Sequence, residues 1–323
     1  MLSCAEEKEA TELLQNILRC NTTNPPGNEA VLAEIIKQWL AGEEISCLID
    51  EFELNRANLI FEIKGAAEGL KLLATGHLDT VPPGNRPWQH DPFGAEIKDG
   101  LIYGRGASDM KGSVAAMLYA IARMKRKGIM PKQDILFLAT AGEEMFCQGA
   151  LHFVDKNGME NIGAVLVGEP SNGDLLLAHK GAAWLEVTTY GKTAHGSMPD
   201  LGVNAVMSMN VFLTALARQS FQAEKHSLLG LPTISVNKIE GGVAINVVPD
   251  SCKCKIDIRT IPGQNEDDVK ILIEKAIAEA TECCPEFKAD YKFLCSLPSV
   301  GCIPNDKIID CAVECADREM KQR

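Results

Sequence analysis

No stretch of this sequence approaches the roughly 18 consecutive apolar residues that read as a membrane-spanning helix, which excludes that class of membrane protein. Excess positive charge is also lacking. A formal net charge of -12 argues against nucleic acid or an anionic membrane surface as a partner. A basic leader is missing too: the chain begins Met1-Leu-Ser-Cys-Ala-Glu-Glu-Lys-Glu, acidic where an export signal is positively charged, so a cytoplasmic protein is expected. The twelve cysteines are scattered, and in that compartment they are expected to stay thiols. Cys252 and Cys254 fall at strand spacing, Cys311 and Cys315 at helix spacing, and both pairs read as small packing residues rather than metal ligands. Internal repeats and low-complexity segments are absent. What remains is 323 residues with 46% hydrophobic content, enough for more than one globular core.

The chemistry begins with Asp134-Ile-Leu-Phe-Leu-Ala-Thr-Ala-Gly-Glu-Glu144, an apolar run of the kind that forms a strand buried on both faces, ending in two glutamates. Adjacent residues on an extended chain point opposite ways, so Glu143 and Glu144 are expected to serve different partners. A helix start, with its acids facing the positive end of the dipole, uses the same residues. Recurrence of the pattern decides between the two. Leu72 to Asp79 is a second apolar run, ending in His77 and Asp79, and Ala164 to Pro170 is a third, ending in Glu169. A glycine-rich loop, Gly104 to Gly112, delivers Asp109 to a helix-periodic segment, Val114 to Met124. Strands alternating with helices predict an α/β fold with a mainly parallel sheet, whose ligands sit outside the carboxyl ends of the strands. His77, Asp109, Glu143, Glu144 and Glu169 should then converge on one rim. One imidazole with several carboxylates suits divalent zinc, manganese or cobalt rather than a sulfur-seeking ion.

Five motifs in order, His77-x-Asp79, Gly-x-x-Asp109-Met-Lys-Gly, Glu143-Glu144, Gly168-Glu169-Pro170 and the earlier Pro-Pro-Gly-Asn-Glu, resemble the M20 metallopeptidases, the acetylornithine deacetylase, succinyl-diaminopimelate desuccinylase, aminoacylase and carboxypeptidase G2 group. The resemblance runs from about Asn21 to Arg259. It implies a site for two divalent metal ions, zinc foremost, with His77 and Glu169 on one, Glu144 on the other and Asp109 bridging both. It further implies that Asp79 orients the imidazole and that Glu143 stays uncoordinated as the general base. His195, in Gly-Lys-Thr-Ala-His-Gly-Ser, resembles the family histidine that reaches the neighbouring subunit's active site and donates to the oxyanion, which implies a homodimer. Asn246 and Arg259 match positions that hold the substrate's carboxylate. His90 is read as a rim residue in the Val81–Lys98 loop.

After Glu169 the pattern changes to strand-helix-strand, strand-helix-strand, the split βαβ plan. Residues 181–294 are therefore expected to form an inserted α+β dimerisation domain with a four-stranded sheet and two helices. Residues 1–180 and 295–323 would make the metal-binding catalytic domain. The family's second metal takes a further histidine near the carboxyl end, whereas this sequence has none after His226 and stops in a helix pattern over 307–322, so truncation is expected. The resemblance implies a hydrolase that removes the acyl group of an N-acyl amino acid, in amino-acid biosynthesis. A di-/tripeptidase or carboxypeptidase on the same scaffold, and a non-catalytic dimeric binding protein, are the alternatives.

Overall fold

A computed structural model of the protein describes residues 2–301 and 307–320. The chain divides into two compact units, Met1–Asp174 and Leu175–Arg323.

The first unit opens with α1 (Cys4–Arg19) and α2 (Glu29–Gly42). Ser3 and Glu6 close a reciprocal capping box at the start of α1, satisfying amide donors that the helix itself cannot. Strands β1 (Leu48–Glu53), β2 (Arg56–Ile63) and β3 (Lys71–His77) follow, then a short hairpin of β4 (Glu96–Lys98) and β5 (Leu101–Tyr103). The unit is completed by α3 (Lys111–Arg126), β6 (Ile135–Thr140), α4 (Gln148–Asn157) and β7 (Ile162–Val167). The five-stranded sheet has the order β1-β2-β6-β3-β7. Its β1–β2 and β2–β6 pairs are antiparallel, while β6–β3 and β3–β7 are parallel. The sheet is therefore mixed, and its parallel half is the half that carries the motifs. Alternation along β6 sends Phe137 and Ala139 into a core with α1, α2 and α3, built on Ile17, Leu32, Ile36 and Leu118. Leu136 and Leu138 point the other way, toward Phe153 of α4. At the β7 edge, Val165, Leu166 and Val167 are exposed.

The second unit holds β8 (Ala178–His179), β9 (Gly181–Tyr190), α5 (Ala205–Leu216), β10 (Thr233–Gly241), β11 (Ser251–Thr260), α6 (Glu266–Cys283), β12 (Lys288–Leu297), β13 (Val300–Gly301) and α7 (Lys307–Met320). Its four-stranded sheet, β10-β11-β9-β12, is antiparallel throughout. Leu185, Val187, Ile256 and Ile258 from its central strands pack against Phe212 and Met209 of α5 and Ile273 of α6. This is the strand and helix order of the split βαβ plan.

Several boundaries differ from the sequence reading. The first strand, Leu48–Glu53, is an acidic stretch that looks like loop in sequence and pairs along one side with β2. Part of the expected 81–98 loop pairs as the β4–β5 hairpin. Residues 244–250 are irregular, and α4 carries no start signal legible in the sequence. At the end of the second sheet β12 runs on to Leu297 against β9, and β13 pairs with β8. The final helix is Lys307–Met320, and the rest of the expected 307–322 span lies outside the described residues. Among the described residues no helix is long and apolar enough to cross a membrane.

Candidate metal centre

Three neighbouring parallel strands end at one rim. His77 is the last residue of β3 and pairs with Thr140 at the end of β6, while Thr75 pairs with Val167 at the end of β7. One step further along, the Leu78 amide donates to the Thr140 carbonyl and the Gly168 amide to the Thr75 carbonyl. This register brings His77, the Glu143–Glu144 turn and Glu169 together. Asp109 arrives from the loop before α3.

That loop is anchored by a residue the sequence reading passed over. Lys111 is fully buried, and its ammonium donates to the carbonyls of Ile17 (3.3 Å) and Cys20 (2.7 Å) at the end of α1. A cation suits the negative end of a helix, and unpaired carbonyls there need donors. Burial still pulls the amine down to about 8.

His77 is 2% exposed and its orientation is fixed by chemistry. Nδ1 lies 2.9 Å from the Asp79 carbonyl oxygen, which can only accept, so Nδ1 carries a proton and it is Nε2 that faces the rim. Around Nε2 stand Asp109 Oδ1 at 3.1 Å, Glu169 Oε1 at 3.6 Å and Glu143 Oε2 at 3.8 Å. Two sets of donors lie within 4.8 Å of one another, His77–Asp109–Glu169 and His77–Glu143–Glu144.

The electrostatics state what this crowding costs. Burial pushes the Glu169 carboxyl up to about 7; His77 opposes the rise and Asp109, Glu143 and Glu144 add to it. Glu143 and Glu144 are also raised, first by burial and then by neighbouring acids, against the pull of His77. Burial would lower His77, but Asp79, Glu169 and Glu143 outweigh it and raise it instead. Four carboxylates crowd one imidazole, and an oxygen-rich set with one imidazole fits a divalent ion. The residues therefore fit the group that the motifs imply.

Asp79 is fully buried and accepts from Asn24 Nδ2 (2.8 Å), the Glu143 amide (3.1 Å) and the Glu144 amide (3.2 Å). It reaches the imidazole mainly through its backbone carbonyl; its Oδ1 is 3.6 Å from His77 Nδ1. Its carboxylate holds the glutamate turn. Sequence reasoning also missed Asn58, Glu29 and Arg56 beside that turn. Arg56 Nε donates to Glu29 Oε2 at 2.8 Å in a buried pair, and removing one partner of such a pair typically costs about 3–5 kcal/mol. Gly142, at φ +70°, admits no side chain here, since a Cβ would lie 2.6 Å from Arg56 Nη2. Gly149 is required by close approach, as its Cβ would lie 2.2 Å from Asn58 Oδ1. His90 pairs with Glu96 and stacks on Tyr103.

The remaining candidates belong to the second unit. His195 is exposed on the loop after β9, where the Ser197 amide donates to its Nδ1 at 3.2 Å. An amide can only donate, so Nε2 carries the proton. The neighbouring Gly196 amide donates to the Asn246 carbonyl at 2.7 Å, tying these two loops together. Asn246 is exposed. Arg259, near the end of β11, makes a bidentate pair with Asp257 at 2.8 and 3.0 Å, a partner that strand alternation puts on the same face.

Comparison with known proteins agrees with this arrangement. Residues 73–321 match the model of peptidase family M20/M25/M40. A probable succinyl-diaminopimelate desuccinylase of Staphylococcus epidermidis is 31% identical over 307 residues, covering 87% of this chain and 75% of its own. The acetylornithine deacetylase of Vibrio vulnificus is 34% identical over 258 residues, covering 78% and 67% respectively. Among solved structures, an M20 family metallo-carboxypeptidase from Sulfolobus solfataricus superposes with a TM-score of 0.77 at 20% identity, covering 98% of this chain and 84% of its own. With three strand ends, one buried imidazole and a family match over most of its length, the chain belongs to peptidase family M20/M25/M40, a family of hydrolases.

Proposed function

We propose that the protein is a metal-dependent amidohydrolase that cleaves the amide of an N-acyl amino acid, acting in amino-acid biosynthesis in the cytoplasm as a homodimer. The observation that carries this reading is His77 Nε2 facing Asp109, Glu143 and Glu169 within 3.8 Å, at a rim where Glu144 completes a second donor set. The names of the two relatives, one a desuccinylase and one a deacetylase, favour an acyl substrate over a peptide.

His77 and Glu169 would hold one divalent ion and Glu144 the other, with Asp109 between them; zinc fits the donor set first, cobalt or manganese next. Such ions, when bound, supply Lewis acidity to the acyl carbonyl and make a water a competent nucleophile at neutral pH. Asp79 fixes the turn that presents both glutamates. Glu143 takes the proton of the attacking water and returns it to the departing amine. Its raised proton affinity suits that double role, because a base efficient near neutral pH titrates near neutral pH. The Nε2–H of His195 would donate to the oxyanion of a neighbouring subunit, and Asn246 and Arg259 would hold the substrate's carboxylate, Arg259 leaving Asp257 to do so. Residues 181–294 would act as the dimerisation domain, with residues 1–180 and 295–323 forming the catalytic one.

The test measures metal content per chain together with hydrolysis of N-acetyl and N-succinyl amino acids and of a tripeptide, in the wild type and in Glu143→Ala. The expected outcome is deacylation in the wild type and a loss of about 10²–10⁴-fold in the variant at unchanged metal content. Tripeptide cleavage without deacylation would replace this reading by the peptidase one. Metal binding with no turnover of any of these substrates would favour a binding scaffold.

A further inference from the structure

Four consecutive backbone amides lead into and through the glutamate pair, and each meets an oxygen of a fully buried side chain. The Ala141 amide donates to Asn58 Oδ1 at 2.9 Å and the Gly142 amide to Glu29 Oε1 at 3.1 Å. The Glu143 and Glu144 amides donate to the two oxygens of Asp79 at 3.1 and 3.2 Å. Asn58, Glu29 and Asp79 all have 0% exposure, and they come from β2, the start of α2 and the segment just past β3. We propose that Glu29, braced by Arg56, and Asn58 are positioning residues for the reaction: they set the turn that aims Glu143 and Glu144 by holding the two amides just before it. This inference rests on the hydrolase reading above.

Ala141 and Gly142 are buried, so their amides require protein acceptors. A neutral acceptor would satisfy Gly142, yet the chain uses a carboxylate, whose burial raises its proton affinity, and adds a buried guanidinium to hold it. A charge-assisted bond is shorter and stiffer than a neutral one, which is of use where direction matters. Asn58 serves the same turn from both ends, because its Nδ2 donates to the Gly149 carbonyl at 2.8 Å on the far side. Misplacement of a reacting group by about 1 Å can cost on the order of 10²-fold in rate, so a turn held at every amide is a kinetic asset. The His77–Asp109–Glu169 set is delivered by other elements and does not depend on this cradle.

Two conservative variants separate positioning from mere stabilisation. The double variant E29Q/R56Q keeps an oxygen at full reach of the Gly142 amide and removes both charges. The variant E29D keeps the charge beside Arg56 and withdraws the oxygen by one methylene. Positioning predicts that E29D loses at least about tenfold in kcat with KM within about threefold, and that E29Q/R56Q, which keeps the oxygen in reach but loses the charge assistance, loses less than E29D. Hydrogen exchange of the Gly142 amide should quicken most in E29D, and the first equivalent of cobalt should bind all three proteins alike. Equal kcat and equal exchange in E29D and wild type would overturn the proposal, as would a larger loss in E29Q/R56Q than in E29D. If the wild type turns over none of the N-acyl amino acids or the tripeptide, the hydrolase reading fails on its own, and the exchange of Gly142 still decides whether Glu29 holds the turn.

Discussion

The two units place their candidate residues by opposite means. In the first, His77, Glu143, Glu144 and Glu169 are gathered by strand ends whose register leaves them little choice, with Asp109 brought in by the loop before α3, around an imidazole that is 2% exposed. In the second, His195 and Asn246 stand exposed on loops and Arg259 is engaged by Asp257. The sequence signals are of similar strength, a short motif around a polar residue in each case. The lesson is that a motif at the end of a buried strand yields an assembled site within its own unit. A motif on an exposed loop yields a group with a defined proton and no substrate-like partner in its own unit.

The sharpest way to break this contrast is His77→Ala, since His77 belongs to both donor sets. Divalent-ion binding and hydrolysis should both be lost, as measured by calorimetric titration and by amino-acid release. Retention of one tightly bound ion would mean that the carboxylates suffice without the imidazole. A smaller effect, about 10²–10³-fold in kcat, is expected for His195→Ala with metal content unchanged, the usual scale for one oxyanion donor. Mixing this variant with an inactive Glu143→Ala partner should restore part of the activity if the histidine acts across subunits. An unchanged kcat in His195→Ala would reduce the loop to surface.

The mildest effect concerns pH. In metal-free protein, Glu169 is raised from 4.5 to about 7, and His77 is raised above 6.5. Both shifts mean that the folded state binds protons more tightly than the unfolded one, so their contribution is fully present below about pH 4.5 and is lost as pH rises through about 7. The melting temperature of chelator-treated protein should therefore fall from pH 5 to pH 8 through these groups. Zinc should reverse the trend, because binding requires the same protons to leave. A metal-free melting temperature that rises over this interval would contradict the crowding of acids at the rim.

Much of this was legible in the residues. Apolar runs ending in His77, Glu143 and Glu169 are local signals, and parallel pairing converts them into one rim whatever the details of packing. The split βαβ order of the second unit was equally legible. Pairings between residues distant in sequence were not. Nothing near Glu29 announces that its carboxylate meets Gly142, 113 positions away, or that Asn58 reaches Ala141, 83 positions away. Polar residues at a helix start and in a strand have ordinary local explanations, and only the fold shows that they are buried. The acidic β1 escaped for a related reason: an edge strand paired on one side tolerates charges that sequence patterning assigns to loops.

Lys111 gives the amino-terminal helix a part in the chemistry. Its buried ammonium has two acceptors, both carbonyls at the end of α1, and it lies two residues from Asp109. Trimming α1 would leave a hidden amine without its two acceptors, two residues from Asp109.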